Sequence, residues 1–528
     1  MNEIQSLIFL LAAAALLTQL SQVVRVPYPV FLVVGGVIIG FIPGLPEVEI
    51  AAEVIFLIFL PPLLNASAFS SSPVDLRAHL RAISLLAIGL VLLTAGSVAL
   101  VGHYVLGLPW AVAFVLGGIL APTDPVAADA VFKRLGVPDR VRTVVGGESL
   151  INDGSGLVVY QIALIAAVTG TFSVFSAGAS FLLVGGVGVV IGIVAAQLVR
   201  PVWRWVEEPS LVVTLSLLIP YGVYVFADSL GVSGILAVVA YGLYQSWRQP
   251  MLYSKASTRL MARSFWDVLV FLLEVLLFVL LGQQLRGILS DLAEYSLVEV
   301  LLYSALVYGV LVAVRFGWFF SVPYLHPMFN RITRGDYDTA PWRERVVMSW
   351  SGMRGAVSLA AALAIPLASG AGEQYPWRDL VVFVTFVVIF ATLVVQGLTL
   401  APLTNRLGLA RNPSEERLVE ISARLTSTRA ALSRLEEISE SANISRESQD
   451  ELRRVYRERI RRYRAGLLAG GVTRRYAEES SNWQEWRMKL LDAEREELIL
   501  ARNRGQLSPE AMRRIQRDID LDESRIGG

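Results

Sequence analysis

Asn152 and Asp153 stand side by side in the run Gly147-Glu148-Ser149-Leu150-Ile151-Asn152-Asp153-Gly154, inside a stretch apolar enough to cross a bilayer. An ionised side chain at that depth costs about 3 kcal/mol on insertion scales, so its presence there points to work done on ions or protons. A second acid, Asp124, lies between Pro122 and Pro125 in the preceding apolar segment. On a helix, residues three and four apart share a face, which puts Ser149 beneath Asp153 and Glu148 beneath Asn152. Ser149 and Asp153 offer the hard oxygen atoms that small cations prefer, and a carbonyl freed by a helix break at Thr123 adds another. Glu148 has a different task. Arg315 occupies a later apolar segment, and two opposite charges in a membrane interior pair with each other or line a cavity.

The elements that position these residues are apolar helices, two of them interrupted. In the run Ala121-Pro122-Thr123-Asp124-Pro125 each proline removes a donor and clashes with the preceding turn. The run Ser349-Trp350-Ser351-Gly352-Met353-Arg354-Gly355 is loosened by its glycines, with Pro366 beyond. Both breaks carry a charge. Matched breaks in the two halves of a membrane protein point to inverted repeats and a midplane site where two discontinuous helices cross. Half-helix N-termini there concentrate positive potential and C-termini negative potential, which Asp124 and Arg354 are suited to offset.

Composition sets the membrane frame. Mean hydropathy is +0.56, and 54% of residues are apolar against 17% charged. Roughly half of the charges follow residue 410, so we divide the chain into an apolar domain, 1–408, and a charged tail, 409–528. A net charge of +1 gives no support for nucleic-acid binding, and the absence of cysteine excludes disulfides and thiolate chemistry. About 13 windows are apolar enough to span: 4–24, 28–43, 51–70, 80–103, 109–132, 144–169, 176–199, 209–228, 231–247, 265–286, 296–320, 345–369 and 378–402. The first has no basic leader before it and is expected to be retained. Basic residues crowd alternate loops, at Arg77 and Arg81, at Lys133, Arg134, Arg140 and Arg142, and at Arg259 and Arg263. By the positive-inside rule the N-terminus is outside and the tail cytoplasmic.

Four motifs together carry a resemblance. They are Pro122-Thr123-Asp124-Pro125, Gly147-Glu148-Ser149-Leu150-Ile151-Asn152-Asp153, Gly352-Met353-Arg354-Gly355-Ala356-Val357, and Phe271-Leu272-Leu273-Glu274-Val275-Leu276-Leu277-Phe278. The chain resembles the monovalent cation/proton antiporter superfamily, in the NhaP-type sodium/proton antiporter branch related to the animal and plant sodium/proton exchangers. The resemblance implies an all-α polytopic fold of about thirteen transmembrane helices, a homodimer in the cell membrane, and a core domain that moves against a fixed dimerisation domain. It implies Na+ held by Asp124, Asp153, Ser149 and the Thr123 carbonyl, with Glu148, Asn152 and Arg315 as polar scaffold. Asn152 is kept among the candidate cation- or proton-binding residues. Glu274 looks like the animal and plant members, and Arg354 is its first candidate partner. An acid common after the prolines of the third span is missing, since Pro61-Pro62-Leu63-Leu64-Asn65 is neutral.

Members of that superfamily with two adjacent acids in this motif and a lysine in the core resemble electrogenic transporters; this chain has Asn152 before Asp153 and no lysine in mid-span, so the resemblance implies one-for-one exchange of a cation for a proton. No cofactor is expected, the transported ions being the only ligands. A K+-selective antiporter is the nearest alternative. An intramembrane aspartyl protease is a different class, but the chain lacks a Gly-x-Gly-Asp signature; Gly154-Ser155-Gly156 superficially suggests a membrane serine protease, but no histidine lies deep in a span. Asp129 is expected as a solvated acid at the cytoplasmic mouth. The tail alternates acids and arginines at helical spacing over 412–440, 446–465, 472–503 and 508–522, and reads as a helical regulatory or dimer-supporting domain.

Overall fold

The computed structural model describes residues 3–24, 26–42, 52–170, 174–206, 208–252, 256–291, 296–333, 340–366, 377–410, 413–441 and 445–468, with isolated residues beyond. Among these, every regular element is helical. The chain divides into two compact units, Met1–Ala410 and Arg411–Gly528.

In the first unit the helices are α1 (Glu3–Val24), α2 (Tyr28–Gly40), α3 (Ala52–Ser70), α4 (Leu80–Tyr104), α5 (Trp110–Leu120), α6 (Val126–Leu135), α7 (Asp139–Thr169) and α8 (Val174–Val199). They continue with α9 (Pro209–Ser229), α10 (Gly234–Leu252), α11 (Ala256–Asp291), α12 (Leu297–Thr333), α13 (Trp342–Trp350), α14 (Ala356–Leu363) and α15 (Arg378–Arg406). Short turns, Pro73–Ala78 and Val202–Trp205, precede α4 and α9. Seven of the helices, α4, α7, α8, α9, α11, α12 and α15, contain apolar stretches long enough to cross a bilayer. The span expected over 109–132 is the pair α5 and α6, and that over 345–369 is α13 and α14, each broken where proline or glycine stops the ladder.

The helices pack in two groups. One joins α1, α2, α3, α8, α9, α10 and α11; the other joins α4, α5, α6, α7, α12, α13, α14 and α15. The first group contains a glycine seam. At Gly36 a Cβ would strike the Val279 carbonyl, and at Gly282 one would strike the Val33 carbonyl, so α2 and α11 approach to backbone contact. Small residues at such seams supply helix association where lipid removes the hydrophobic drive. The second group holds the buried charges. Its helix α7 is enclosed, and its long helices α4 and α15 each contain a π-helical stretch, Leu85–Leu90 and Thr392–Gln396. Ser155 of α7 donates to the Ala87 carbonyl in the first of these and also to Asn152 O at 3.2 Å. Its hydroxyl is therefore a structural donor.

The second unit contains α16 (Pro413–Ser441) and α17 (Arg446–Leu468), which pack against each other. Glu420 and Arg424, one turn apart on α16, form an exposed ion pair at 2.5 Å. The helices expected over 472–503 and 508–522 lie outside the described residues, apart from isolated positions.

Candidate functional site

Two chain breaks meet in the second helix group. After α5 ends at Leu120, the chain runs non-helically to Pro125; after α13 ends at Trp350, it does so again to Gly355. The Asp124 amide donates to the Met353 carbonyl at 2.8 Å, which ties one break to the other. Four half-helix ends thus gather at one place. Two side chains answer their dipoles. The Asp124 Oδ1 atom accepts from Val126 N at 2.8 Å at the start of α6. Its other carboxylate oxygen lies against Gly355, the N-cap of α14, so closely that an added Cβ would collide with it. A carboxylate therefore faces two N-termini. Arg354 does the converse. Its Nε donates to Leu120 O at 3.1 Å at the end of α5, and its Nη1 donates to Gly352 O just past α13. Its backbone amide donates to Thr392 Oγ1 at 3.0 Å, in the second π-helical stretch.

Helix α7 lays its polar face against this crossing. The Asn152 amide nitrogen donates to Thr123 Oγ1 at 2.8 Å, and Thr123 Oγ1 lies 3.3 Å from Ser149 Oγ. Asn152 Oδ1 is buried with no partner among the described residues. Asp153 is buried as well, and its carboxylate receives no hydrogen bond from any described residue. It lies within electrostatic reach of Asp124. The Thr123 carbonyl likewise accepts no hydrogen bond among the described residues. Oxygen atoms without a protein donor are what a small cation or a proton can use.

Glu148, one turn before Asn152, points away from this group. Arg315 of α12 meets it with both terminal nitrogens, Nη2 to Oε2 at 2.8 Å and Nη1 to Oε1, and its Nε donates to Met348 O at 3.1 Å. Glu148 and Arg315 are only 1% and 3% exposed, so this is a dehydrated pair that also reaches the last turn of α13. Asp129, on α6, is half-exposed and pairs with Lys133 at 2.7 Å and Arg142 at 3.4 Å.

The structure thus brings Thr123, Asp124, Ser149, Asn152 and Asp153 around one crossing, with Glu148, Arg315 and Arg354 behind it. Glu274 is the exception. It accepts from the Tyr28 hydroxyl at 2.6 Å, while Arg354 spends its donors on helix-end carbonyls. The Arg354 pairing expected for Glu274 is therefore replaced by Tyr28, because the open helix ends hold the guanidinium. Sequence reasoning missed Tyr28 and Thr392. A tyrosine at the start of a span reads as an interfacial anchor, and no local signal marks a threonine in a π-helical stretch.

Known proteins resemble this chain over most of its length. The family described as "Sodium/hydrogen exchanger, transmembrane" matches residues 8–406. The uncharacterized Na(+)/H(+) exchanger YjcE of Escherichia coli is 30% identical over 98% of this chain and 98% of its own length. The Na(+)/H(+) antiporter ApNhaP of Aphanothece halophytica is 32% identical over 82% of this chain and 80% of its own. The fold matches that of the sodium proton antiporter MjNhaP1 from Methanocaldococcus jannaschii, with a TM-score of 0.58 and 22% identity, over 76% of this chain and 98% of that one. Apolar helices, paired breaks with opposite charges at their ends, and a match across most of the first unit lead to one conclusion: this multi-pass membrane protein belongs to the sodium/hydrogen exchanger family, whose members are secondary transporters and not enzymes.

Proposed function

We propose that the chain exchanges Na+ for H+ one for one, with Asp153 and Asp124 taking cation or proton in competition. The observation that carries this reading is the Asp153 carboxylate, buried beside a helix crossing with no donor of its own among the described residues. Beside it stand the Ser149 hydroxyl, the Thr123 carbonyl and Asn152 Oδ1, the last two equally without a donor among those residues. Na+ fits such oxygen ligands as cargo, and a proton on the carboxylate excludes it. Li+ and K+ take the same kind of oxygen ligands as Na+, and a K+-selective exchanger is the second reading. The names of ApNhaP and MjNhaP1 favour sodium.

Alternating access follows from moving the occupied site between the two faces. In this reading, the helices around the crossing, α4 to α7 and α12 to α15, shift against the group built on the α2–α11 seam. We place the protein in the cell membrane as a homodimer, with its N-terminus outside. The tail from residue 409 is then a cytoplasmic regulatory or dimer-supporting domain. The decisive experiment is Asp153→Asn in proteoliposomes, which removes the ionisable group with little change in volume. Exchange driven by a Na+ gradient should vanish while the protein still assembles. Retained exchange by the folded variant would refute the assignment.

A further inference from the structure

Two peptide units link α15 to the first break in series. The amide of the Met353–Arg354 peptide donates to Thr392 Oγ1 at 3.0 Å, and the carbonyl of that same peptide accepts from Asp124 N at 2.8 Å. Asp124 N belongs in turn to the peptide whose carbonyl is that of Thr123. In a trans peptide the C=O and N–H point opposite ways from one rigid plane, so fixing either group fixes the other. Thr392 donates its own hydroxyl proton to Ile389 O at 2.8 Å, which leaves a lone pair for Arg354 N. The line therefore runs from the Thr392 hydroxyl through two planes to the Thr123 carbonyl. Thr392 and Arg354 are only 0% and 2% exposed, and at such burial an amide that loses its acceptor must turn to find another.

A hydroxyl buried on a helix ordinarily bonds back to its own ladder. Thr18, Ser304 and Thr404 do only that among the described residues, to Ala14 O, Val300 O and Leu400 O at 2.8 Å each. Thr392 bonds back as well, but it also accepts from a backbone amide 38 positions away. Its place in α15 is distinctive too. Thr392 opens the π-helical stretch Thr392–Gln396, which packs on α2; just beyond it, a Cβ added at Gly397 would strike Val30 Cγ2 of α2 and lie 4.0 Å from Met353 Sδ. This turn of α15 thus touches the second break on one side and the other helix group on the other.

We propose that Thr392 is a positioning residue for transport, holding the Thr123 carbonyl at the cation through the Met353–Arg354 and Thr123–Asp124 peptides. The proposal rests on the reading of Asp124, Asp153 and the Thr123 carbonyl as the transport site. Thr392 touches no cargo itself. Without its hydroxyl the Met353–Arg354 plane turns, Asp124 N follows the Met353 carbonyl, and the Thr123 carbonyl leaves its line to the cation.

The test uses the full-length protein in proteoliposomes, with Na+ as the probe, and compares wild type, Thr392→Val, Thr392→Ser, Thr404→Val and Asp153→Asn. Thr392→Val keeps the β-branched shape and removes the hydroxyl. It should raise the apparent KM for Na+ about tenfold, the size expected from one orphaned buried amide, while exchange persists at saturating Na+. Thr392→Ser restores the hydroxyl and should return KM to near wild type. Thr404→Val removes a buried hydroxyl from the same helix away from the break, and should leave KM unchanged. An unchanged KM in folded Thr392→Val overturns the proposal, and so does a KM that rises equally in Thr392→Ser or Thr404→Val. A lower melting temperature and lower maximal rate at unchanged KM overturn it as well, being the mark of a hydroxyl that only stabilises α15. If Thr392→Val does not fold, Thr392→Ala takes its place, and an unchanged KM there refutes the link. Failure of the underlying site shows separately, as exchange retained in Asp153→Asn.

Discussion

Removing one partner of the Glu148–Arg315 pair should strand a charge in a dehydrated interior, at a cost of about 3 to 5 kcal/mol. The geometry makes the two losses unequal. In Glu148→Gln, Arg315 keeps its bond from Nε to Met348 O at 3.1 Å and its place 5.4 Å above the Phe319 ring. In Arg315→Gln, Glu148 loses both of its donors, and the last turn of α13 loses one as well. Arg315→Gln should therefore be the worse variant, with a penalty near the top of that range and Glu148→Gln near the bottom. The double variant should recover part of the loss, since both desolvated charges disappear together. Thermal melting in detergent, read as a double-mutant cycle, measures the coupling. Additive losses would show that the pair contributes no interaction of its own. Normal stability in Glu148→Gln with a sharp fall in cation affinity would instead move Glu148 into the ligand set.

Three further outcomes follow from the crossing. Asp124→Asn should abolish exchange measured by Na+-driven proton flux; if only apparent Na+ affinity drops, Asp124 serves the helix dipoles and is not an obligatory carrier. Gly355→Ala forces a methyl into the Asp124 carboxylate, whose backbone is held at Met353, and an overpacking cost of about 1 to 3 kcal/mol should weaken apparent Na+ affinity about tenfold or more. Wild-type affinity there would mean that the carboxylate is free to move aside. Exchange by the unaltered protein should be insensitive to a valinomycin-clamped potential, and a rate that scales with potential would overturn one-for-one stoichiometry.

Much of this site is legible in the sequence because its causes are local. Prolines on both sides of an acid, and glycines on both sides of an arginine, loosen a helix strongly enough that the breaks at 121–125 and 351–355 can be read locally, although single prolines such as Pro220 and the pair Pro61–Pro62 stay inside continuous helices. Periodicity likewise places Ser149, Asn152 and Asp153 on one helix before any partner is known. Contacts between distant segments are another matter. Arg354 meets the Leu120 carbonyl across 234 positions, and Tyr28 meets Glu274 across 246. Charge alone pairs Arg354 with Glu274. That pairing fails because backbone carbonyls at two open helix ends compete for the guanidinium, and backbone ends are invisible to an argument made from side-chain charges. The Glu148–Arg315 pair is inferable because both charges fall inside apolar spans, where opposite charges seek each other. The tail offers no comparable handle, since alternating acids and arginines satisfy one another on many helical faces.

On the reading proposed above, the charges at the crossing account for exchange that is both coupled and electroneutral. Glu148 and Arg315 cancel in direct contact. Each helix end carries about half an elementary charge, positive at the N-terminus and negative at the C-terminus. Asp124 faces the N-termini of α6 and α14, and Arg354 faces carbonyls at the ends of α5 and α13, so each full charge is met by two halves of opposite sign. One negative charge is left for the cargo, shared between Asp153 and Asp124, which lies within electrostatic reach of it, because Asn152 is neutral. A single Na+ or a single proton cancels it. The loaded site is then neutral with either cargo, while the empty site carries a bare carboxylate that is costly to move through a dehydrated barrier. On that reading movement is restricted to loaded states, and one cation crosses for each proton that returns. An acid at position 152 would leave a second charge to be neutralised on each passage, so Asn152→Asp is the substitution that this balance of charges singles out for making transport respond to membrane potential.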